Sequence, residues 1–237
     1  SSISSTPREA LYLESGNIPI RFVLMSRRLN FLHYILNEEH DSLIRSVLMA
    51  QVENPPKGDW ISTALSDLKK LKINLSLEKI QQLSKINFKK LVKESVRVEA
   101  LNYLLKIKET HSKTSKLDYS DLGLQDYLKP SSSLSIKEKQ FIFSAKCRMV
   151  DVRCNFKNGK TDLMCRKCRK EPETQQHILE CPELIKKPDN IDYGDLFGKD
   201  LDKLIAVGKQ LIKCFNLVIN VPNVHSSALN RVGAATM

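Results

Sequence analysis

Four residues, Cys165, Cys168, His177 and Cys181, restrict this chain more than any other feature. They stand as Cys-x2-Cys-x8-His-x3-Cys in CRKCRKEPETQQHILEC, and thiolates and an imidazole at such spacings are the donors of a structural zinc site. A Cys-x2-Cys turn lets two sulfurs reach one ion at about 2.3 Å. His177 and Cys181 are four apart, so one helical turn gives them a common face that closes the tetrahedron from the other side. Between the pairs, Glu171-Pro172-Glu173-Thr174 reads as a turn into a helix, with Thr174 as N-cap. With every position filled by protein, no water site remains for metal-assisted catalysis, and the expected role of Zn2+ is structural. The competing readings are ordinary buried thiols beside a histidine, or half of a disulfide framework. Six Cys in 237 residues is far below disulfide-scaffold density, which weakens the second. Cys147 and Cys154 are expected to pack as small apolar groups, Cys154 being near enough in sequence to stand in as a ligand.

Charge points to a partner. The net charge is +11 and its distribution is uneven. Between Lys69 and Lys116 thirteen Lys and Arg face four Asp and Glu, whereas from Thr161 onward the numbers are eleven and ten. A concentrated cationic stretch attracts polyanions by counterion release, and nucleic acid is the common one. The bland alternative is a lysine-rich solvated helix face that binds nothing. Hydrophobic residues make up 41%, enough for a packed core, and no apolar run approaches the roughly 18 residues that span a bilayer, so no membrane partner is expected. Opening on Ser rather than Met, the chain reads as part of a longer polypeptide.

Scarce glycine and apolar spacings of three and four predict a mainly α fold. Thr6-Pro7-Arg8-Glu9 is a capping box opening a short helix that Gly16 closes. A second helix runs from about Pro19 to Leu36, with Phe22, Met25, Leu29, Leu32 and Leu36 as its core stripe. A third covers about His40 to Val52 and stops at Pro55-Pro56. Asp59 caps a fourth, in which Trp60 is read as core rather than as a stacking platform. Ser76 opens a short helix through Leu83, and Asn87 a long one through about Thr110. On that long helix Phe88, Leu91, Val92 and Val96 lie opposite Lys89, Lys90, Lys93 and Arg97, the best candidate for tracking a phosphate backbone. Arg166, Lys167, Arg169 and Lys170 crowd the cysteine turn as a second cationic group. Ser135-Ile136-Lys137-Glu138 is another capping box, opening a helix through about Asp151. A last helix, about Asp200 to Ile219, buries Leu204, Val207, Leu211, Phe215 and Val218, with Cys214 beside them. His33, His40, His111 and His225 have no ligand-spaced partners and are read as filler. The expected organisation is a basic helical region over 1–130, a helix with the Cys-Cys-His-Cys knuckle over 131–190, a C-terminal helix over 191–220 and a disordered tail over 221–237.

In order along the chain, LYLESGNIPIRFVLMSRRLNFLHYIL, PPKGDW, the basic helical stretch and NFK ahead of CRKCRKEPETQQHILEC resemble the C-terminal region of reverse transcriptases from animal non-LTR retrotransposons. The resemblance spans roughly Leu11 to Ile219. It implies a helical thumb-like and linker portion followed by a zinc knuckle that holds template RNA or target DNA, for an upstream polymerase domain of the same polypeptide in the nucleus or cytoplasm. The chain departs from the whole enzyme in having no Tyr-x-Asp-Asp or similar paired-Asp motif for two magnesium ions. Asp118, Asp121 and Asp126 read as helix-end groups, so no catalytic residue is assigned and the chain alone is expected to be a binding module, not an enzyme. The alternatives are an independent zinc-dependent DNA-binding or regulatory protein, and a helical interaction scaffold whose zinc only stabilises the fold.

Overall fold

The computed structural model describes residues 7–54, 58–112, 114–117, 119–155 and 162–219. The fold is mainly α, with no β-strand among the described residues. Two compact units divide at Gln125/Asp126, five residues before the expected boundary.

The first unit holds α1 (Arg8–Ser15), α2 (Ile20–Leu36), α3 (Leu43–Glu53), α4 (Trp60–Lys70), α5 (Leu77–Gln82) and α6 (Lys85–Glu109). Its spine is α6, whose Phe88, Val92, Val96, Ala100 and Leu104 recur every fourth residue and are buried. That stripe packs on α2, which buries Phe22, Leu29, Leu32 and Leu36 while Met25 stays half-buried. Helix α6 begins earlier than expected because Ser84 caps it, its hydroxyl accepting the Asn87 N–H at 3.2 Å. For the same reason α3 begins at Leu43: Ser42 supplies the cap. Asp59 caps α4, accepting the Ser62 N–H at 2.7 Å. His33 is a core residue, bonded through Nε2 to the Leu83 carbonyl at 2.8 Å and lying on the Phe88 ring. Trp60 is half-buried with its ring edge-on to Phe31. Thr6, Pro55, Pro56 and Asp118 lie outside the described residues. Asp126 opens a 3-10 turn and pairs with Lys129 at 2.5 Å.

Gly16 ends α1 at φ +68°, and a Cβ there would stand 2.5 Å from the backbone carbon of Gly123. Both the left-handed backbone and the close approach therefore require glycine.

The second unit holds α7 (Ile136–Lys146), α8 (Gln175–Glu180) and α9 (Leu201–Ile219). Ser135 and Glu138 form the expected capping box on α7. The helix stops at Lys146, short of Asp151, because a Schellman motif closes it. The Met149 N–H reaches the Ser144 carbonyl at 2.7 Å and the Arg148 N–H that of Ala145 at 3.0 Å, with Arg148 left-handed at φ +51°. Leu204, Val207, Leu211, Cys214 and Val218 of α9 are buried in one core with Ile142 of α7 and Ile178 and Leu179 of α8, while Phe215 is only partly buried. Segments 131–190 and 191–219 thus share one hydrophobic core within a single compact unit. Residues 220–237 lie outside the described residues. No helix among the described residues is long and apolar enough to cross a membrane.

Candidate metal centre and cationic face

The turn carrying Cys165 and Cys168 is pinned by its own backbone. The Cys165 N–H reaches the Glu171 carbonyl at 2.7 Å, and the Arg169 N–H returns to the Cys165 carbonyl at 3.1 Å with Arg169 left-handed at φ +58°. An isolated bridge joins Met164 to Pro172 behind it. The N–H groups of Lys167 and Lys170 then point at the sulfurs of Cys165 and Cys168, at 3.4 and 3.5 Å. Such N–H donors favour a thiolate over a thiol.

His177 comes from the first turn of α8, which Thr174 caps by accepting the His177 N–H at 2.9 Å. Cys181 follows that helix as its C-cap. The ligand atoms of Cys165, Cys168, His177 and Cys181 all lie within 4.8 Å of one another, with Cys165 Sγ to Cys181 Sγ at 3.9 Å and Cys168 Sγ to His177 Nε2 at 3.3 Å. The four can hold one metal ion. His177 Nδ1 meets the Glu171 carboxylate at 3.0 Å, which fixes the ring so that Nε2 faces the sulfurs. Ile178 and Leu179, on the same short helix, are buried in the hydrophobic core, so the ligand helix cannot move without opening that core.

The thiols are inequivalent. Burial works against the Cys168 thiolate, but the N–H groups of Lys170 and Glu171, with His177, outweigh it and bring the thiol down to about 7. Burial pushes Cys181 up to about 12, and the neighbouring sulfurs add to the rise. Metal association must therefore expel protons, including the one Cys181 carries at neutral pH.

The cations around the turn divide by role. Arg166 is committed internally: its guanidinium donates to the fully buried Glu173 carboxylate at 2.7–3.0 Å and to the Asp151 carbonyl at 2.7 Å. Burial opposes ionisation of Glu173, yet Arg166 and the N–H groups of Arg166 and Arg153 hold its carboxyl below the usual range. Arg169 is exposed but pairs with Asp162 at 2.6 Å, and Asp162 also holds Arg153 at 2.6 Å. Lys167 and Lys170 make no ion pair among the described residues. Cys154 is not in the cluster; its sulfur lies 3.9 Å from the Leu163 carbonyl.

On α6, Lys89, Lys90, Lys93 and Arg97 are all exposed. Lys90 and Arg97 lie opposite the buried stripe, whereas Lys89 and Lys93 flank it on the side facing α2 rather than standing opposite it as the sequence pattern suggests. Arg97 additionally donates to the Leu122 carbonyl, which ties the loop after α6 to the helix. Sequence reasoning missed the supporting shell of Glu171, Glu173, Asp162 and Arg153. The signal is there in part, as acids and bases alternating around the cysteines, but pairing among them depends on a turn whose shape the spacing does not give. No family model, curated protein or solved structure matches the chain.

Proposed function

We propose that this chain is a nucleic-acid-binding, zinc-containing module, the C-terminal part of a non-LTR retrotransposon reverse transcriptase. It would position template RNA or target DNA for a polymerase domain elsewhere in the same polypeptide. The observation that carries the zinc reading is the spacing of the ligand atoms. A tetrahedral ion with bonds of about 2.3 Å to sulfur and about 2.0–2.1 Å to nitrogen requires sulfur–sulfur edges of about 3.8 Å and sulfur–nitrogen edges of about 3.6 Å. The observed sulfur–sulfur distance of 3.9 Å and sulfur–nitrogen distance of 3.3 Å lie close to those values, and the four ligand atoms all fall within 4.8 Å of one another. Three thiolates and an imidazole favour zinc over calcium or magnesium, which take oxygen ligands. Zinc supplies folding free energy here, and the site offers it no open position for chemistry.

The nucleic-acid reading is supported by Lys89, Lys90, Lys93 and Arg97 on the exposed side of α6 and by Lys167, Arg169 and Lys170 at the turn. Arg166, saturated by Glu173, contributes by holding the turn rather than by meeting phosphate. The polymerase reading draws on the order of the sequence strings; since the chain carries no paired-Asp motif, the polymerase domain would lie elsewhere in the polypeptide. Holding a primer and template in register lowers the entropic cost of a reaction carried out elsewhere. The module would act where its polymerase acts, in the nucleus or cytoplasm.

The decisive experiment measures binding to labelled oligonucleotides as a function of salt. Replacing Lys89, Lys93 and Arg97 together by Gln should lower the salt slope by roughly one per lost phosphate contact. An unchanged slope sinks the α6 face. Primer extension with magnesium by this chain alone would overturn the binding-module reading, and full activity of the intact polypeptide after loss of Cys165 and Cys168 would overturn the positioning role. A scaffold reading has one observation in its favour: on α3, Leu43, Ile44, Val47 and Met49 are 40–80% exposed. It predicts no affinity for oligonucleotides beyond that of a generic basic protein.

A further inference from the structure

A cleft of about 1040 Å³ runs along α2 where the α5–α6 junction and the start of α6 pack beside it. Its charged lining is one-sided. Arg27 of α2 and Lys85, Lys89 and Lys93 of α6 border it, against Glu38 as the lone carboxylate. The three lysines are spaced four apart, so they form one row with steps of about 6 Å along the helix. None of these four cations makes an ion pair among the described residues. Across the cleft from that row stand Phe31 and Tyr34, 44% and 52% exposed, their rings stacked nearly parallel with centroids 6.0 Å apart.

Large exposed rings beside a row of unneutralised cations are unusual for a surface that meets only water. The combination fits one ligand chemistry: flat apolar faces joined by regularly spaced anions. The geometry points to this cleft as a binding groove for single-stranded nucleic acid, with bases stacking on Phe31 and Tyr34 and phosphates following Lys85, Lys89 and Lys93. The inference rests on the nucleic-acid reading above and sharpens it. In a duplex the base faces are already stacked on one another and cannot reach a side-chain ring, so the aromatic pair selects a strand whose bases are free. The groove also divides the cations of α6, since Lys89 and Lys93 line it and Lys90 and Arg97 do not.

Trp60 makes the test direct. It is the chain's single tryptophan, and its ring lies 5.5 Å from that of Phe31. Titrating the full chain with oligothymidylate or oligouridylate should quench tryptophan emission, whereas a blunt mixed-sequence DNA duplex should not. Tyr34→Ala, at a half-exposed position, should weaken single-strand binding about tenfold, with little effect on duplex binding or on the salt slope. Tyr34→Trp should restore the affinity. Lys85→Gln with Lys93→Gln should lower the single-strand salt slope by about 0.7 per residue, and Lys106→Gln, on α6 away from the cleft, should not. If Tyr34→Ala binds single strands as wild type does, or poly-glutamate displaces them as well as nucleic acid does, the groove reads charge alone and the proposal is overturned. Should Lys167→Gln with Lys170→Gln abolish oligonucleotide binding while every cleft variant keeps it, the groove fails and the nucleic-acid reading stands. Absence of any salt-sensitive binding by wild type overturns both.

Discussion

The two units are stabilised by different means. In residues 7–125 a 25-residue helix packs its buried stripe against α2, and Ser42, Asp59, Ser76 and Ser84 cap the starts of α3 to α6. Helices α1 and α2 start after Pro7 and Pro19 with no side-chain cap, Pro7 being the N-cap of α1 rather than its first helical residue. Removing any one contact leaves the others in place. In residues 126–219 the 19-residue α9 also lays a buried row into a core, but α8, which carries His177, has only six residues, far too few to hold a helix unaided. Its position depends on Ile178 and Leu179 in the core on one side and on His177 and Cys181 at the candidate metal centre on the other. An extended hydrophobic stripe distributes stability over many residues, whereas a ligand cluster concentrates it in four.

The largest effect that distinguishes them is metal removal. Structural zinc in small sites contributes on the order of 10 kcal/mol of apparent folding free energy at neutral pH. Purified protein should carry about one equivalent, and Cys165→Ser should lose it. After chelation, amide hydrogen exchange should become fast in α8 and in the turn before it while α6 keeps its protection. Simultaneous loss of protection in α6 and α8 would break the comparison, because the two units would then unfold as one.

Glycine substitutions give the next effect, and they differ between the units in kind. Gly16→Ala meets main chain, at 2.5 Å from the Gly123 carbon, and also pays for a left-handed backbone. Backbone cannot rotate away as a side chain does, so the expected loss is at least about 2–3 kcal/mol. Gly208→Ala instead meets the side chain of Ile142 at 2.6 Å, in a core position where that side chain is fully buried. Overpacking of this kind costs about 1–3 kcal/mol. Urea titration of both variants, read by α-helix signal in the presence of metal, should rank Gly16→Ala as the more damaging. The reverse order would mean that the Gly123 loop yields more readily than the α7–α9 contact.

Much of this is legible in the sequence because it is local. The clustering of Cys165, Cys168, His177 and Cys181 follows from their spacing, although Cys181 ends α8 as its extended C-cap instead of continuing the helical turn with His177. The caps at Asp59, Ser76, Ser135 and Thr174 follow from residue type ahead of a periodic run, and the buried row of α9 follows from the run itself. Where reading fails, the cause is not local. The sequence pattern carries helix α7 on to Asp151, but Arg148 takes a left-handed conformation that residue preference assigns to glycine or asparagine. The joining of 131–190 to 191–219 in one core cannot be read from the polar residues Lys186 to Asp189, which look like a linker and are only a surface crossing. The aromatic pair Phe31 and Tyr34 receives no role from the sequence, because the apolar stripe of α2 identifies the buried face and leaves the rest as surface.

A smaller effect tests the supporting shell. Glu173 has no exposed side-chain surface and binds Arg166 through both oxygens. Glu173→Ala should cost about 3 kcal/mol, the lower end of the range for breaking a buried pair, because Arg166 can turn to solvent. The loss should be visible as weaker metal retention in a chelator competition, with binding through α6 unchanged. If metal retention is unaffected, the turn is held by its backbone bonds and sulfur contacts alone.

The smallest effect is the most diagnostic in its pH dependence. Asp162 sits between Arg169 and Arg153, and hydrogen bonds from Arg169 and the Met164 N–H, with Arg153 assisting, bring its carboxyl down to about 2. A carboxyl lowered on folding adds stability that is complete above its unfolded value of about 4 and is lost as pH falls through 4 toward 2. The metal ligands are protonated at higher pH than that, since thiolates bind the ion in competition with protons. Across pH 6 to 8 Asp162 is therefore fully ionised with or without the fold, and its contribution is constant. Asp162→Asn should lower metal affinity by the same small factor at both ends of that range, measured by competition with a chelator of known proton dependence. A factor that shrinks as pH falls from 8 to 6 would mean that the carboxyl titrates near neutrality, and the arginine pair would then not be what holds the loop.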